Sequence, residues 1–169
     1  MIDRGRGQTM LDFAVAVGLF LLTVAFVVAF VPQVTAPYQE QAHPAVAQRV
    51  AGGVADNLLA GDAPSVLDED CTVAFFAQSG AAGCPFDTTA PLTEQVGVGP
   101  RHRLNLSLQR NVSGDATLEV LCGNGGAVGP CGTDPLRVGP APPADRSLTT
   151  TRRAVAVGGT DAVLEVTVW

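Results

Sequence analysis

The chain has 169 residues and a net charge of −6, and all ten of its basic residues are arginine. That length allows one domain with appendages. The acidic balance excludes the clustered positive face that a nucleic-acid partner requires, so no nucleic-acid partner is expected.

Phe13 to Val31 is a run of 19 residues with no charge, and Thr23 is its only polar side chain. As a helix it spans roughly 30 Å, the thickness of the hydrocarbon core of a bilayer. Pro32 closes the run. A secretory h-region is shorter, about 7–15 residues. The one small-residue cut site downstream, Val34-Thr35-Ala36, is followed by Pro37, a poor residue after a cleavage point. The run is therefore expected to remain as a single membrane-spanning helix. Arg4 and Arg6 precede it, and the next arginine is Arg49. The excess of positive charge before the helix predicts a cytoplasmic N-terminus and an extracellular C-terminal domain.

Residues 33–43 form a polar connector punctuated by Pro37, and Pro44 suits the first position of a helix. Val46, Val50, Val54 and Leu58 then recur every four residues, which predicts an amphipathic helix of about four turns. Gly61 is placed to cap its C-terminus. Gly52 and Gly53 weaken its middle, so the helix depends on packing. Residues 60–101 read as loop, apart from an apolar run, Cys71 to Ala77, that reads as a strand.

Alternation follows. Leu104, Leu106 and Leu108 share one strand face, and Asn105, Ser107 and Gln109 take the other, which is expected to face water. Thr117 to Cys122 alternates as well, with a turn at Ser113-Gly114-Asp115, so the two segments predict a hairpin. Residues 123–147 read as a Gly/Pro-rich loop. Arg153 to Val157, a turn at Gly158 to Asp161, and Ala162 to Trp169 predict a second hairpin. The expected fold class is α+β, with a transmembrane helix and then an amphipathic helix packed on an antiparallel sheet of about four strands.

The four cysteines, Cys71, Cys84, Cys122 and Cys131, all lie beyond the apolar run. Neither neighbouring pair has the CxxC spacing of a zinc or redox motif, and an even number in an exported domain reads as disulfides. Of the possible connectivities, Cys71–Cys84 with Cys122–Cys131 is favoured, because each pair brackets a Gly/Pro-bearing loop. Asn105-Leu-Ser107 and Asn111-Val-Ser113 are glycosylation sequons if the domain is external, although such triplets also arise by chance. His43 and His102, the only histidines, have no ligand-spaced partners. Asp68-Glu69-Asp70 is an acidic triplet that reads as a solvated loop sooner than as a cation site. No nucleophile elbow, metalloprotease helix or phosphate-binding loop occurs. The chain is read as a non-enzyme without metal or cofactor.

The residues before the apolar run are more specific: Arg4-Gly5-Arg6-Gly7-Gln8-Thr9-Met10-Leu11-Asp12. This stretch resembles the leader of type IV prepilins, as carried by archaeal pilins and archaellins, and Arg6-Gly7-Gln8 is similar to the cleavage site of haloarchaeal archaellins. The acid-rich, lysine-free composition resembles that of proteins from extreme halophiles. The resemblance implies a leader at 1–7, cleavage between Gly7 and Gln8 by a prepilin peptidase, a membrane and assembly helix at 8–32, a connector at 33–43 and an extracytoplasmic domain at 44–169. It also implies other pilin-like subunits as partners, with Asp12 pairing the N-terminal ammonium of a neighbouring subunit. The family pattern carries Ser-Pro where Thr9 and Met10 stand, and Glu where Asp12 stands. Read locally, Thr9-x-x-Asp12 is a capping box. The implied function is a cell-surface pilin-like protein, minor or accessory in a filament. The competing reading is a signal-anchored binding module that is neither processed nor assembled.

Overall fold

The computed structural model describes residues 5–40, 42–132 and 134–169, with side chains described for 12–30, 44–132 and 134–169. The chain divides into two compact units, Met1–Ala42 and His43–Trp169.

The first unit is one helix, α1 (Gly5–Glu40). Its segment Asp12–Phe30 is long and apolar enough to cross a membrane, and none of it is buried. The one polar side chain in the apolar run is satisfied locally, since Thr23 Oγ1 donates to the Leu19 carbonyl at 2.8 Å. Phe26 and Phe30, one turn apart, stack with ring centroids 5.0 Å apart. The helix does not stop at Pro32 and runs on through residues 33–40 of the expected connector. A proline removes one amide donor and crowds the turn before it, which weakens a helix without forbidding it. Because α1 begins at Gly5, Thr9 is helical. The side chain of Thr9, and with it the capping box read from the sequence, lies outside the described residues.

The second unit is α+β. It opens with α2 (Ala42–Gly53), which widens into one π-helical turn at Val54–Leu58. The π turn closes through the Leu59 amide, which donates to the Val54 carbonyl at 2.9 Å. The transition comes directly after Gly52-Gly53, the two residues with least preference for regular helix. Gly61 is not the cap expected of it. Its amide donates to the Val66 carbonyl, and a Cβ there would stand 3.1 Å from that oxygen. It is a close-approach glycine in the crossing that leads to β1 (Val66–Leu67).

The run expected as a strand at Cys71–Ala77 is instead a helix, α3 (Glu69–Phe76). Asp68 has extended backbone and accepts the Cys71 amide at 2.8 Å, while Glu69 and Asp70 occupy the first turn, where the helix dipole favours negative charge. Thr72, Ala74, Phe75 and Phe76 are buried, and the consecutive burial of the last three departs from the strict alternation of a half-buried strand. A short helix, α4 (Leu92–Gln95), lies in the following loop.

The strands outnumber the four expected. β2 (Leu104–Arg110), β3 (Glu119–Val120), β7 (Arg137–Val138), β8 (Thr149–Val157) and β9 (Thr160–Val168) join β1 in a six-stranded sheet, in the order β1-β8-β9-β2-β3, with β7 also paired to β2. β4 (Cys122–Asn124), β5 (Ala127–Gly129) and β6 (Asp134–Pro135) make a second sheet, ordered β5-β4-β6, inside the stretch expected to be loop.

β8 and β9 form a long hairpin about Gly158-Gly159. Both glycines have positive φ, 55° and 72°, as a two-residue turn of the hairpin-favouring kind requires. The expected β2 hairpin is reduced, because only Gln109 and Arg110 pair with Val120 and Glu119. The main partner of β2 is β9, across six residue pairs from Leu104↔Val168 to Gln109↔Val163. Beyond Val120, the amides of Leu108, Leu121 and Leu136 donate in a ring to the carbonyls of Leu136, Leu108 and Leu121, which ties β2 to the segments flanking both sheets.

One core fills the unit. Val46, Ala47, Val50, Ala51, Val54 and Ala55 from the helical segment pack with Leu104, Leu106 and Leu108 of β2 and Leu164, Val166 and Val168 of β9. Phe75 is fully buried and meets Phe76 and Phe86 edge-on, at centroid distances of 5.5 and 5.4 Å.

Candidate functional site

Gly7, Gln8 and Thr9 lie on helical backbone near the start of α1, and the side chains of Gln8 and Thr9 are outside the described residues. Asp12 is exposed and stands at the head of the apolar segment. Gln8 and Asp12 are four residues apart, so they share a face on successive turns. A carboxylate facing an apolar medium carries a desolvation cost that a cation one turn away reduces.

The cysteines form two disulfides, Cys71–Cys84 and Cys122–Cys131, with Cα–Cα distances of 5.5 and 4.5 Å. The first ties α3 to the loop that follows it. The second ties the start of β4 to the segment just past β5, closing the β4–β5 hairpin and anchoring an exposed Cys131 to the buried Cys122. Each bond constrains a short loop of a unit whose connections are long and irregular, and that constraint stabilises mainly by reducing the freedom of the unfolded chain.

An open cleft of about 440 Å3 is lined by the π turn, residues 60–65 and Arg153. Arg153 Nη2 donates to both oxygens of Asp56 at 2.6 and 2.8 Å and approaches Ser65 Oγ at 3.3 Å. Ser65 has a positive φ of 59°, and its carbonyl accepts the Ala156 amide. The guanidinium thus clasps the π turn to β8. It has no unpaired charge left for an anionic ligand, and the cleft contains neither histidine nor cysteine. The arrangement is that of a structural joint.

The acidic triplet is also taken up by the fold. Asp68 caps α3, and Glu69 accepts the Val128 amide at 2.6 Å. Among the described residues, no group of three or more His, Cys, Asp or Glu side chains is arranged to hold a metal. His102 is half-buried just before β2, and the side chain of His43 lies outside the described residues.

The second face of β2 is the largest departure from the sequence reading. Asn105, Ser107 and Gln109 are buried, not wet. Asn105 Nδ2 donates to the carbonyls of Gly139 and Pro140 at 3.1 and 3.0 Å, because the chain after β7 crosses over this face. Gln109 Nε2 lies 2.8 Å from Ser107 Oγ and 3.0 Å from Glu165 Oε1, and Glu165 in turn binds Arg152. A polar strand face is compatible with burial once each group has a partner. The sequence signal was present in the Gly139-Pro140 segment, but nothing local fixes where such a loop lies.

The two sequons therefore differ. Asn105 is committed within the sheet. Asn111 is exposed one residue past the end of β2, and its Oδ1 accepts the Gly114 amide at 2.6 Å. In the same loop, the Thr117 amide and the Ser113 hydroxyl hold the Asp115 carboxyl below the usual carboxylate range.

No curated protein and no solved structure matches the chain. One family model does, over residues 4–169, and its description is that of a family of unknown function. That match takes in α1 and the whole disulfide-bonded unit, and by it the chain belongs to the DUF7287 family.

Proposed function

We propose that this protein is a type IV pilin-like cell-surface protein, held in the membrane by α1, with its disulfide-bonded unit outside the cell. The leader 1–7 is removed between Gly7 and Gln8 by a prepilin peptidase, and the mature helix then serves as anchor and as the surface through which other pilin-like subunits assemble. In that role the protein is a minor or accessory subunit, and it performs no catalysis.

The observation that carries this reading is the order of parts along one chain. A basic Arg4-Gly5-Arg6-Gly7 stretch precedes a single apolar helix with no buried side chain, and an α+β unit with two disulfides follows. A helix apolar on every side needs an apolar medium, and disulfides persist in oxidising compartments. Processing at Gly7 leaves Gln8 at the head of the helix, one turn from Asp12. Its new ammonium can then neutralise that carboxylate, in the same or in a neighbouring subunit.

The test is the mature N-terminus, read by mass spectrometry on protein purified from membranes. A start at Gln8 with the apolar helix retained is the expected result. A start at Met1 overturns processing and leaves a plain signal anchor, and a start beyond Val31 overturns the anchor itself.

A further inference from the structure

The geometry points to Asn111 as a site of N-linked glycosylation, and to Asn105, in the other sequon, as one that stays unmodified. This inference rests on the reading of the C-terminal unit as external.

Both asparagines satisfy the same three-residue pattern, so sequence alone ranks them equally. The fold separates them. Asn105 lies inside β2, 7% exposed and in register with Thr167 of β9. Both protons of its amide nitrogen are directed to carbonyls, those of Gly139 and Pro140. A transferase acting there has to strip β2 from β9 and lift the crossing segment, and a sugar attached before folding takes the space that segment occupies. Asn111 is the first residue beyond β2, and residues 111–117 are all exposed. None of them belongs to a strand, so the loop can be drawn into an extended binding groove without breaking a ladder. The Asn111 Oδ1 is engaged by the Gly114 amide, while its Nδ2 has no hydrogen-bond partner among the described residues. Ser113, the hydroxyl residue of the triplet, lies in the same exposed loop, and its hydroxyl bonds to Asp115 within that loop and to the exposed Glu119 at the start of β3. Gly114 and Ala116 both have positive φ, 77° and 68°, which turns the backbone within this exposed loop.

The reaction is a glycosyl transfer from a phosphate-linked saccharide donor. Asn111 Nδ2 forms a bond to the anomeric carbon as the bond from that carbon to the phosphate oxygen breaks. The phosphate leaves with the electron pair, and the amide nitrogen releases one proton to solvent. No oxidation or reduction is involved.

The test is peptide mapping of the full chain purified from membranes of its own cells. Trypsin cuts after Arg103, Arg110 and Arg137, so the two sequons fall on different peptides, and fragmentation locates the sugar if it blocks the cut at Arg110. The expected result is a saccharide mass on Asn111 and an unmodified Asn105. Asn111→Gln and Ser113→Ala remove the whole saccharide mass from the intact protein, and Ser113→Thr retains it. Because all three changes lie in an exposed loop, the variants keep the fold. An unmodified Asn111, or a sugar found on Asn105 alone, overturns the inference. Thiol alkylation in denaturant, without reduction, separates the two possible failures. If no cysteine is labelled and Asn111 is bare, glycosylation fails while the external reading stands. If all four cysteines are labelled, the external reading fails and glycosylation falls with it.

Discussion

α1 and α2 draw on much the same residues, Ala and Val above all, yet they meet opposite surroundings. In α1, Phe20 and Leu22 are 67% and 68% exposed, and the apolar side chains cover the whole circumference. In α2, Val46, Ala47, Val50 and Ala51 are buried, and their neighbours Gln48 and Arg49 are exposed. A one-sided helix can be satisfied by a sheet from its own chain, whereas a helix apolar on all sides asks for a medium. The side chains of α2 are also smaller, which lets the helix lie close on the strands that carry Leu104, Leu106 and Leu164. Its two glycines and its π turn are tolerated because packing, not propensity, holds it in place.

The contrast can be broken from either side. The largest effect is expected in the core: Phe75→Ala removes a buried ring that touches two others and should cost about 3–5 kcal/mol in chemical denaturation of the full chain in detergent. Leu19→Ala in α1 should leave that midpoint unchanged, and an equal loss there would show that α1 is part of the same core. Leu21→Arg addresses the other side. A charge near the middle of a membrane helix costs about 2.5–3.5 kcal/mol of insertion. The variant should therefore shift out of the membrane fraction on alkaline extraction, with the denaturation midpoint of the disulfide-bonded unit preserved. Full retention in the membrane would sink the anchor. The smallest effect sharpens the one element that the sequence pattern misassigned. Asp68→Ala removes the α3 cap and should lower stability by about 1 kcal/mol, whereas no change would mean that tertiary packing alone holds α3.

The misassignment of α3 shows what kind of signal was overlooked. Thr72, Val73, Phe75 and Phe76 favour strands by composition, and the run was short enough for periodicity to be ambiguous. The decisive residues were the three before it. Asp68, Glu69 and Asp70 supply a cap and a favourable charge at a helix start, whereas as an isolated triplet they read as a solvated loop. The hairpin of β8 and β9 was legible because the strands are long and the Gly158-Gly159 turn is local. β2 was legible as a strand but not in its partners. Its alternation marks two faces and says nothing about what covers the second.

By itself the sequence determined the separation into an apolar helix and an α+β unit, the amphipathic face of α2, and the long C-terminal hairpin. Each of these is written in contiguous residues whose periodicity or length has one physical solution. Only the tertiary structure decided that Asn105, Ser107 and Gln109 are buried, that Arg153 joins Asp56, and that the two sequons are unequal. Those outcomes depend on segments more than 30 residues apart in the chain meeting in space, as Asn105 meets Gly139 and Arg153 meets Asp56. Local pattern sets which groups need a partner, and the packing of the whole unit chooses it.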